Sequence, residues 1–581
     1  MSSITAGQNR FDFVVVGGGT AGCVVAGRLA ENPDVSVLIV EAGPSNPEDL
    51  AAVTTPSMAM DIRGSEYDWG YTSKFVKRPG WERIDGPNTR GKVLGGSSCG
   101  NYFTWVPGCK ATFDRWAEYG GSEWSWEPLV PYLRKSVTYH DDSQDFSPDL
   151  HKIGSGGPIN ISHNDISELQ DFRDVISKAW VSKGLPISEN VYDGEMNGLT
   201  HSVNSIYKGT RNGAWLFVKD KPNVTVAAGV HSKRLIIDYA ERTCKGVTVI
   251  DSSGNERDFY ANREVIVSQG VFESPKLLML SGIGPARELA KHGIDVVVDS
   301  RHVGQHLIDH PGVPFVLRIK DGFGMDETLL RRGPKHDAAV AAYEKDRSGP
   351  LGSGLLEMIG FPRIDDYLEK DPVYREAKAA NGGIDPFSPE GQPHFELDFV
   401  PMFGSAFQWH YPTPAEGDHV TVMVDLVRPV YEGGEVTLNS ADPLEDPKID
   451  LNFLSSDLDI IALREGIRFA YDLLTTGDGF KDIVVNQYPW DMPLDNDELM
   501  KTSIQDRVQT SFHPTGTNRL SQSIEQGVVD PRLKVHGVDR LRVIDASIIP
   551  VIPDCRPQNS VYAVGEKGAD LIKDDHKDLY K

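Results

Sequence analysis

Cysteine is scarce in this chain of 581 residues: only Cys23, Cys99, Cys109, Cys244 and Cys555 are present, none in a CxxC pair. An odd, scattered set excludes a disulfide framework and a structural zinc site. Long apolar runs are missing as well, since none approaches the roughly 20 residues that a membrane-spanning helix needs. The opening MSSITAGQNR is polar and holds no apolar signal core, and the closing Asp-Leu-Tyr-Lys is no peroxisomal tripeptide. The expectation is an intracellular, cytoplasmic protein with no signal peptide or transmembrane segment. Positive charge is also in deficit, with 59 Lys and Arg against 84 Asp and Glu, a net charge of −25. Such a surface repels phosphate backbones and anionic headgroups, so neither nucleic acid nor a membrane is an expected partner. An anionic ligand would require a locally positive site.

What is present is the composition of a globular chain, 39% hydrophobic and 25% charged, long enough for more than one core. Phe11 to Val16 is an apolar run of strand length, followed by Gly17-Gly18-Gly19-Thr20-Ala21-Gly22 and a helical stretch from Cys23 to Glu31. Val35 to Val40 is a second apolar run that ends at Glu41. This is a β-α-β unit whose strands lack polar alternation, as strands buried on both faces do. The spacing Gly17-x-Gly19-x-x-Gly22 gives a tight turn, room for a pyrophosphate, and close packing of helix on sheet. Glu41, 19 residues after Gly22, is placed to accept from ribose hydroxyls. The fingerprint indicates a dinucleotide without choosing between NAD and FAD.

Further strands are expected at Asn223 to Asp238, Lys245 to Asp251, Glu264 to Ser268 and Leu541 to Ile544. Helices are expected at Ser274 to Ser281, with Pro275 in its first turn, at Leu458 to Leu474, and at Gln558 to Lys573 after Pro557. Ser65 to Gly121, rich in Gly, Trp and Tyr, reads as long ordered loops. His419 to Arg428 alternates, with Val420, Val422, Val424 and Leu426 opposite Thr421, Met423 and Asp425, the pattern of an antiparallel strand with one packed face. A second such strand follows at Glu435 to Leu438. Nucleotide-type strands thus lie at both ends and in the middle of the chain, around an inserted antiparallel sheet.

Three stretches resemble the signatures of the glucose-methanol-choline (GMC) oxidoreductases. Gly91 to Asn101 (GKVLGGSSCGN) resembles the first, and Gly270 to Gly284 (GVFESPKLLMLSGIG) the second. The carboxy-terminal block runs from His513-Pro514-x-Gly516-Thr517 through Val529-Asp530-Pro531-Arg532 and Arg542 to Ser547, ending at Gly565-Glu566-Lys567. The resemblance implies an α/β FAD-binding domain of Rossmann-like type, from residues 1–165, 206–313 and 520–581. It also implies an α+β substrate domain built on an antiparallel sheet, from residues 166–205 and 314–519. Carried over by position, Gly17, Gly19, Thr20, Ala21, Gly22, Glu41 and Ala42 would hold the nucleotide. Val93, Gly95, Gly96, Ser97, Asn101, Tyr102 and Gln558 would line the flavin side. Val230 would meet the adenine, Asp545 the ribityl or pyrophosphate region, and Ala546 would offer a backbone N–H. Some members attach FAD through a histidine in the first signature; Ser98-Cys99-Gly100-Asn101 has none, so FAD is expected to be held non-covalently.

Family members place a histidine opposite the flavin and a second His or Asn about forty residues later. His513 fits the first position, and imidazole suits proton exchange near neutrality. The second position holds Arg556, which cannot be a base but offers a planar fork matched to a carboxylate. The bland alternative is that Arg556 pairs with Asp554 and points away. The pair His513 and Arg556 resembles that of the formate-oxidising members of the family. That implies hydride transfer from formate to flavin and on to dioxygen, giving carbon dioxide and hydrogen peroxide, with a flavin those members carry as 8-formyl-FAD. The other readings are a GMC-type alcohol or sugar oxidase or dehydrogenase with a structural Arg556, and a non-catalytic flavin-binding protein. No metal is expected, because Gly304 and the Asp309-His310-Pro311 break keep His302, His306 and His310 off one helix. Tyr102, Phe103, Trp105, Phe403, Phe407 and Trp409 are candidate pocket walls, Tyr102 and Phe103 foremost. Oligomeric state is written in no motif.

Overall fold

A computed structural model describes residues 8–580, apart from 79, 145, 165, 189 and 406–409. One of two seven-stranded sheets is built on Arg10–Val16, which runs parallel to Val37–Glu41 on one side and to Glu256–Val267 on the other. Val224–Ala228 and Leu541–Val543 add in parallel at either flank, while Thr243–Asp251 and Val230–Asp238 continue it antiparallel. Phe13 to Val16 are fully buried, as a central strand covered on both faces must be. The helix Thr20–Leu29 packs on the last helix, Gln558–Asp575. Their approach is close enough that a Cβ on Gly565 would stand 2.9 Å from that of Val24.

The other seven-stranded sheet is antiparallel, in the order Val484–Tyr488, Pro311–Ile319, Asp418–Leu426, Phe395–Val400, Met358–Phe361 and Gly198–His201, with Gln509–Thr510 beside Pro311–Ile319. The helix Asp457–Thr476 packs on one face, so closely that a Cβ on Gly466 would meet the Phe395 ring at 2.6 Å. Phe395, Leu397 and Phe399 therefore alternate toward the helix and put Glu396 and Asp398 on the opposite face. Every residue of Asp418–Leu426 is buried, not one face only as its alternation suggests. Its polar face looks into a cavity lined by Met423 and Asp425.

Two other expectations change. The stretch from Ser65 to Gly121 contains a hairpin, Tyr71–Arg78 with Trp81–Asn88, and the helix Lys110–Gly120. Charged residues in the hairpin, among them Lys74, Lys77, Glu82 and Arg83, blur its apolar alternation. The helix of the second signature begins at Gly270 and runs to Leu280, so Pro275 lies inside it and not in its first turn. Pro275 has no N–H to offer the carbonyl of Val271. The Thr517 hydroxyl donates to that carbonyl at 2.7 Å instead, which ties the helix to the carboxy-terminal block.

Removing that donor leaves a buried carbonyl unsatisfied, which costs on the order of 1–3 kcal/mol. Thr517→Val, which keeps the shape, is expected to lower stability by about that amount in denaturant titration. An unchanged midpoint would show that the proline gap needs no filling.

Candidate active site

The nucleotide end of the site follows from the glycines. Gly17 has φ +105°, and a Cβ there would stand 2.5 Å from the carbonyl oxygen of Ser268 on the neighbouring strand's end. A Cβ on Gly22 would come within 2.0 Å of the Gly17 oxygen, so only glycine lets the helix start so close to the turn. Gly19 caps the helix without a side-chain bond, leaving first-turn N–H groups for an anion. The Glu41 carboxylate accepts from Gly18 N at 3.0 Å and Gly43 N at 2.8 Å while it lines the cavity, which fixes its oxygens for hydroxyl donors.

The first-signature loop crosses this turn, with Gly96 at φ +54° and so near Gly19 that a Cβ would fall 2.7 Å from the Gly19 Cα. Asn101 is held on both sides: its Nδ2 donates to Gln558 Oε1 at 2.6 Å, and Arg211 Nη1 donates to its Oδ1 at 2.7 Å. Gln558 in turn donates to the carbonyls of Phe103 and Thr104. Asp545 accepts from Gly270 N, Ser274 Oγ and Ser547 N, so its carboxylate braces the second-signature helix at the cavity edge. Gly17, Gly19, Thr20, Ala21, Glu41, Ala42, Gly96, Ser97, Asn101, Tyr102, Val230, Asp545, Ala546 and Gln558 all line one cavity. Phe103 lines it too, whereas Gly22, Val93 and Gly95 sit behind its wall. Trp105 and Phe403 are buried in packing, and Phe407 and Trp409 lie outside the described residues. A turn with open N–H groups at one end and fixed acceptors along the wall fits an extended dinucleotide.

His513 and Arg556 line the far end of the same cavity. His513 Nδ1 faces His310 Nδ1 at 3.0 Å. Burial first, then His310, Arg556 and Arg90, holds the His513 pKa well below its ordinary value. Burial likewise brings His310 down to about 3. Two neutral rings facing through Nδ1 hold a single hydrogen between them, so Nε2 is the nitrogen His513 has left for a ligand. Both residues hang on Asp309, whose Oδ1 accepts from the backbone N–H of His310 at 2.8 Å and of His513 at 3.0 Å. His310 is therefore split from His302 and His306, which pair with each other at 2.8 Å.

Arg556 does not pair with Asp554, which lies near Arg428 at 3.9 Å. Its Nη1 donates to Glu396 Oε1 at 2.5 Å and its Nη2 to Asp398 Oδ2. Burial opposes the charge, but Asp398 and Glu396 outweigh it and hold the guanidinium protonated. The expectation of a free fork in a positive pocket is thus revised: two carboxylates already grip it, and its remaining N–H groups are the ones open to a ligand. Glu396 and Asp398 were missed in the sequence, although two acids on one face of Phe395–Val400, otherwise apolar, are a readable signal. Arg90 was missed too; it is half-buried in the wall and donates to Phe512 O at 2.9 Å. Away from the cavity, Asp365, Asp385 and His394 lie close enough to share an ion. Arg363 already stands there, 2.6 Å from Asp365 and 3.6 Å from Asp385.

The GMC oxidoreductase family models match residues 11–312 and 429–565. The chain belongs to the GMC oxidoreductase family. It is an FAD-dependent oxidoreductase, and FAD is the dinucleotide that the cavity fits. Among solved structures, an arginine-to-lysine variant of formate oxidase from Aspergillus oryzae RIB40, described for its effect on FAD modification, is 69% identical with a TM-score of 0.98, over 99% of this chain and 100% of that one. Dehydrogenase str4 of Strobilurus tenacellus is 33% identical over 97% of this chain and 94% of its own length. Pyranose dehydrogenase 3 of Leucoagaricus meleagris is 30% identical over 97% and 92%. No helix among the described residues is long and apolar enough to cross a membrane.

With no histidine in Ser98-Cys99-Gly100-Asn101, acid precipitation of the purified protein is expected to leave the flavin in the supernatant. A yellow pellet that keeps its colour through washing would show a covalent link.

Proposed function

We propose that the chain is a formate oxidase, which takes formate and dioxygen to carbon dioxide and hydrogen peroxide. The observation that carries this reading is one cavity holding a charged guanidinium and a neutral imidazole where the dinucleotide's reactive end would lie. The 69% identity to a formate oxidase over nearly the whole chain supports it. So does that enzyme's FAD modification for an 8-formyl-FAD here. The strands of the parallel-type sheet fall in 1–165, 206–313 and 520–581, and those of the antiparallel sheet in 166–205 and 314–519, apart from the first residues of Pro311–Ile319. This membership supports the proposed division into FAD-binding and substrate domains.

In this reading Arg556 binds the carboxylate through N–H groups not used by Glu396 and Asp398, as charge-assisted hydrogen bonds. Its anchors fix the guanidinium plane, so the carboxylate is oriented as well as attracted. His513, with Nδ1 committed to His310, turns Nε2 to the same ligand and holds or releases a proton there. FAD, when bound, supplies the acceptor for hydride from the formate carbon. A sugar or primary alcohol would bring no negative charge to Arg556, which sets the pyranose-oxidising relatives apart from this reading.

Mixed anaerobically with formate, the holoenzyme is expected to bleach in its flavin band and to yield peroxide once air is admitted. Arg556→Ala should lose at least about 100-fold in kcat/KM for formate, since a buried charge partner contributes on the order of 3–5 kcal/mol. Arg556→Lys, which keeps the charge without the fork, should lose about 10-fold or more. Formate turnover undiminished in both flavin-loaded variants, or bleaching by alcohols and not by formate, would overturn the assignment.

A further inference from the structure

The cavity floor beneath Arg556 holds more carboxyl groups than one guanidinium can neutralise. Glu396 and Asp425 stand directly opposite each other in the antiparallel register of Phe395–Val400 with Asp418–Leu426, and Asp398 follows on the same face. Their exposures are 0%, 3% and 3%. Opposed side chains in such a ladder sit about 5 Å apart at Cβ, where two buried like charges repel strongly. Arg556 bonds Glu396 and Asp398, whereas Asp425 has a neutral donor, Ser511 Oγ at 2.7 Å. Glu396 Oε2 and Asp398 Oδ1 are buried with no hydrogen-bond partner among the described residues. Space for the extra carboxyl is built in: a Cβ on Gly312, in the adjoining strand, would strike Asp425 Oδ1 at 2.0 Å.

We propose that Glu396 and Asp425 are the proton store of the anion pocket: a carboxylate binds at Arg556 together with one proton shared by this pair. The proposal rests on the reading of Arg556 as an anion anchor. With every carboxyl ionised, three negative groups face one positive one, and an entering anion adds a fourth. A hydrogen held between the pair removes one of those charges and supplies the donor that Glu396 Oε2 lacks. Burial and neighbouring carboxylates push both groups upward, away from the ordinary carboxylate range. The other charged or titratable groups near them are Asp309, held by Thr510 and two backbone N–H groups, the neutral His310 and His513, the Cys555 thiol, which burial and Glu396 push up and so keep neutral, and Asp554 with Arg428. A raised carboxyl is protonated below its shifted pKa, so anion affinity is full on the acid side and is lost as the pH rises through the titration of the pair.

The test titrates holoenzyme with nitrate, a planar anion that stays ionised throughout, from about pH 6 to about pH 9.5, reading the flavin absorbance change. The wild-type affinity is expected to fall by up to about tenfold per pH unit on the alkaline side, with about one proton taken up per nitrate in calorimetry across buffers. Asp425→Asn and Glu396→Gln, which fix a neutral group at one position, should each flatten the slope to less than about twofold per unit. Nitrate affinity independent of pH in the wild type would overturn the store and leave the anion anchor standing. A slope that survives in either variant would move the proton elsewhere, His513 first. Absence of nitrate binding at every pH would remove the anchor and the store together.

Discussion

A mostly buried guanidinium between two carboxylates joins the halves of this molecule at the wall of the cavity. Arg556 stands just before the helix Gln558–Asp575, which packs on the nucleotide turn, and its partners Glu396 and Asp398 belong to the antiparallel sheet. Removing either side leaves an uncompensated charge in a low-dielectric wall, which is far more costly than losing a surface ion pair. The contact therefore fixes the distance between the glycine turn and the antiparallel sheet. It also shows how an acidic chain can hold a cation in its cavity. The positive group is not a patch that attracts from afar but one cation held at fixed height above acids.

A second set of ties fastens the flavin-side loop. Asn101, Gln558 and Arg211 form a chain of hydrogen bonds from the first-signature loop to the first turn of the last helix. Asp545 and Thr517 do the same for the second-signature helix. Segments far apart in sequence thus meet through side-chain hydrogen bonds, to backbone and to one another, and a cavity wall drawn from so many stretches keeps one shape.

Much of the parallel-type sheet was legible because its signals are local: apolar runs of strand length, glycines at fixed offsets, an acid at the next strand's end. That His513 and Arg556 would meet in one cavity was legible because motif positions flagged them. What stayed hidden is what depends on pairing between distant stretches. Glu396 and Asp398 gain meaning only when Phe395–Val400 lies beside Asp418–Leu426. The partner of Arg556 could not be found by looking two residues away, since it comes from 160 positions earlier. Pro275 misled because its position in a helix depends on a hydroxyl from Thr517, which no window around the proline contains. The hairpin Tyr71–Arg78 with Trp81–Asn88 was hidden by charges along a half-exposed ribbon, where the two-residue period is weakest.

Asp309 gives the two facing histidines a common suspension. One carboxylate oxygen receives the main-chain N–H of both, and Tyr431 clasps the main chain of Asp309 itself from the far side. The backbones that carry the two imidazoles consequently share one anchor. A common anchor of this kind sets the 3.0 Å separation of the two Nδ1 atoms from the backbone and not from the side chains alone.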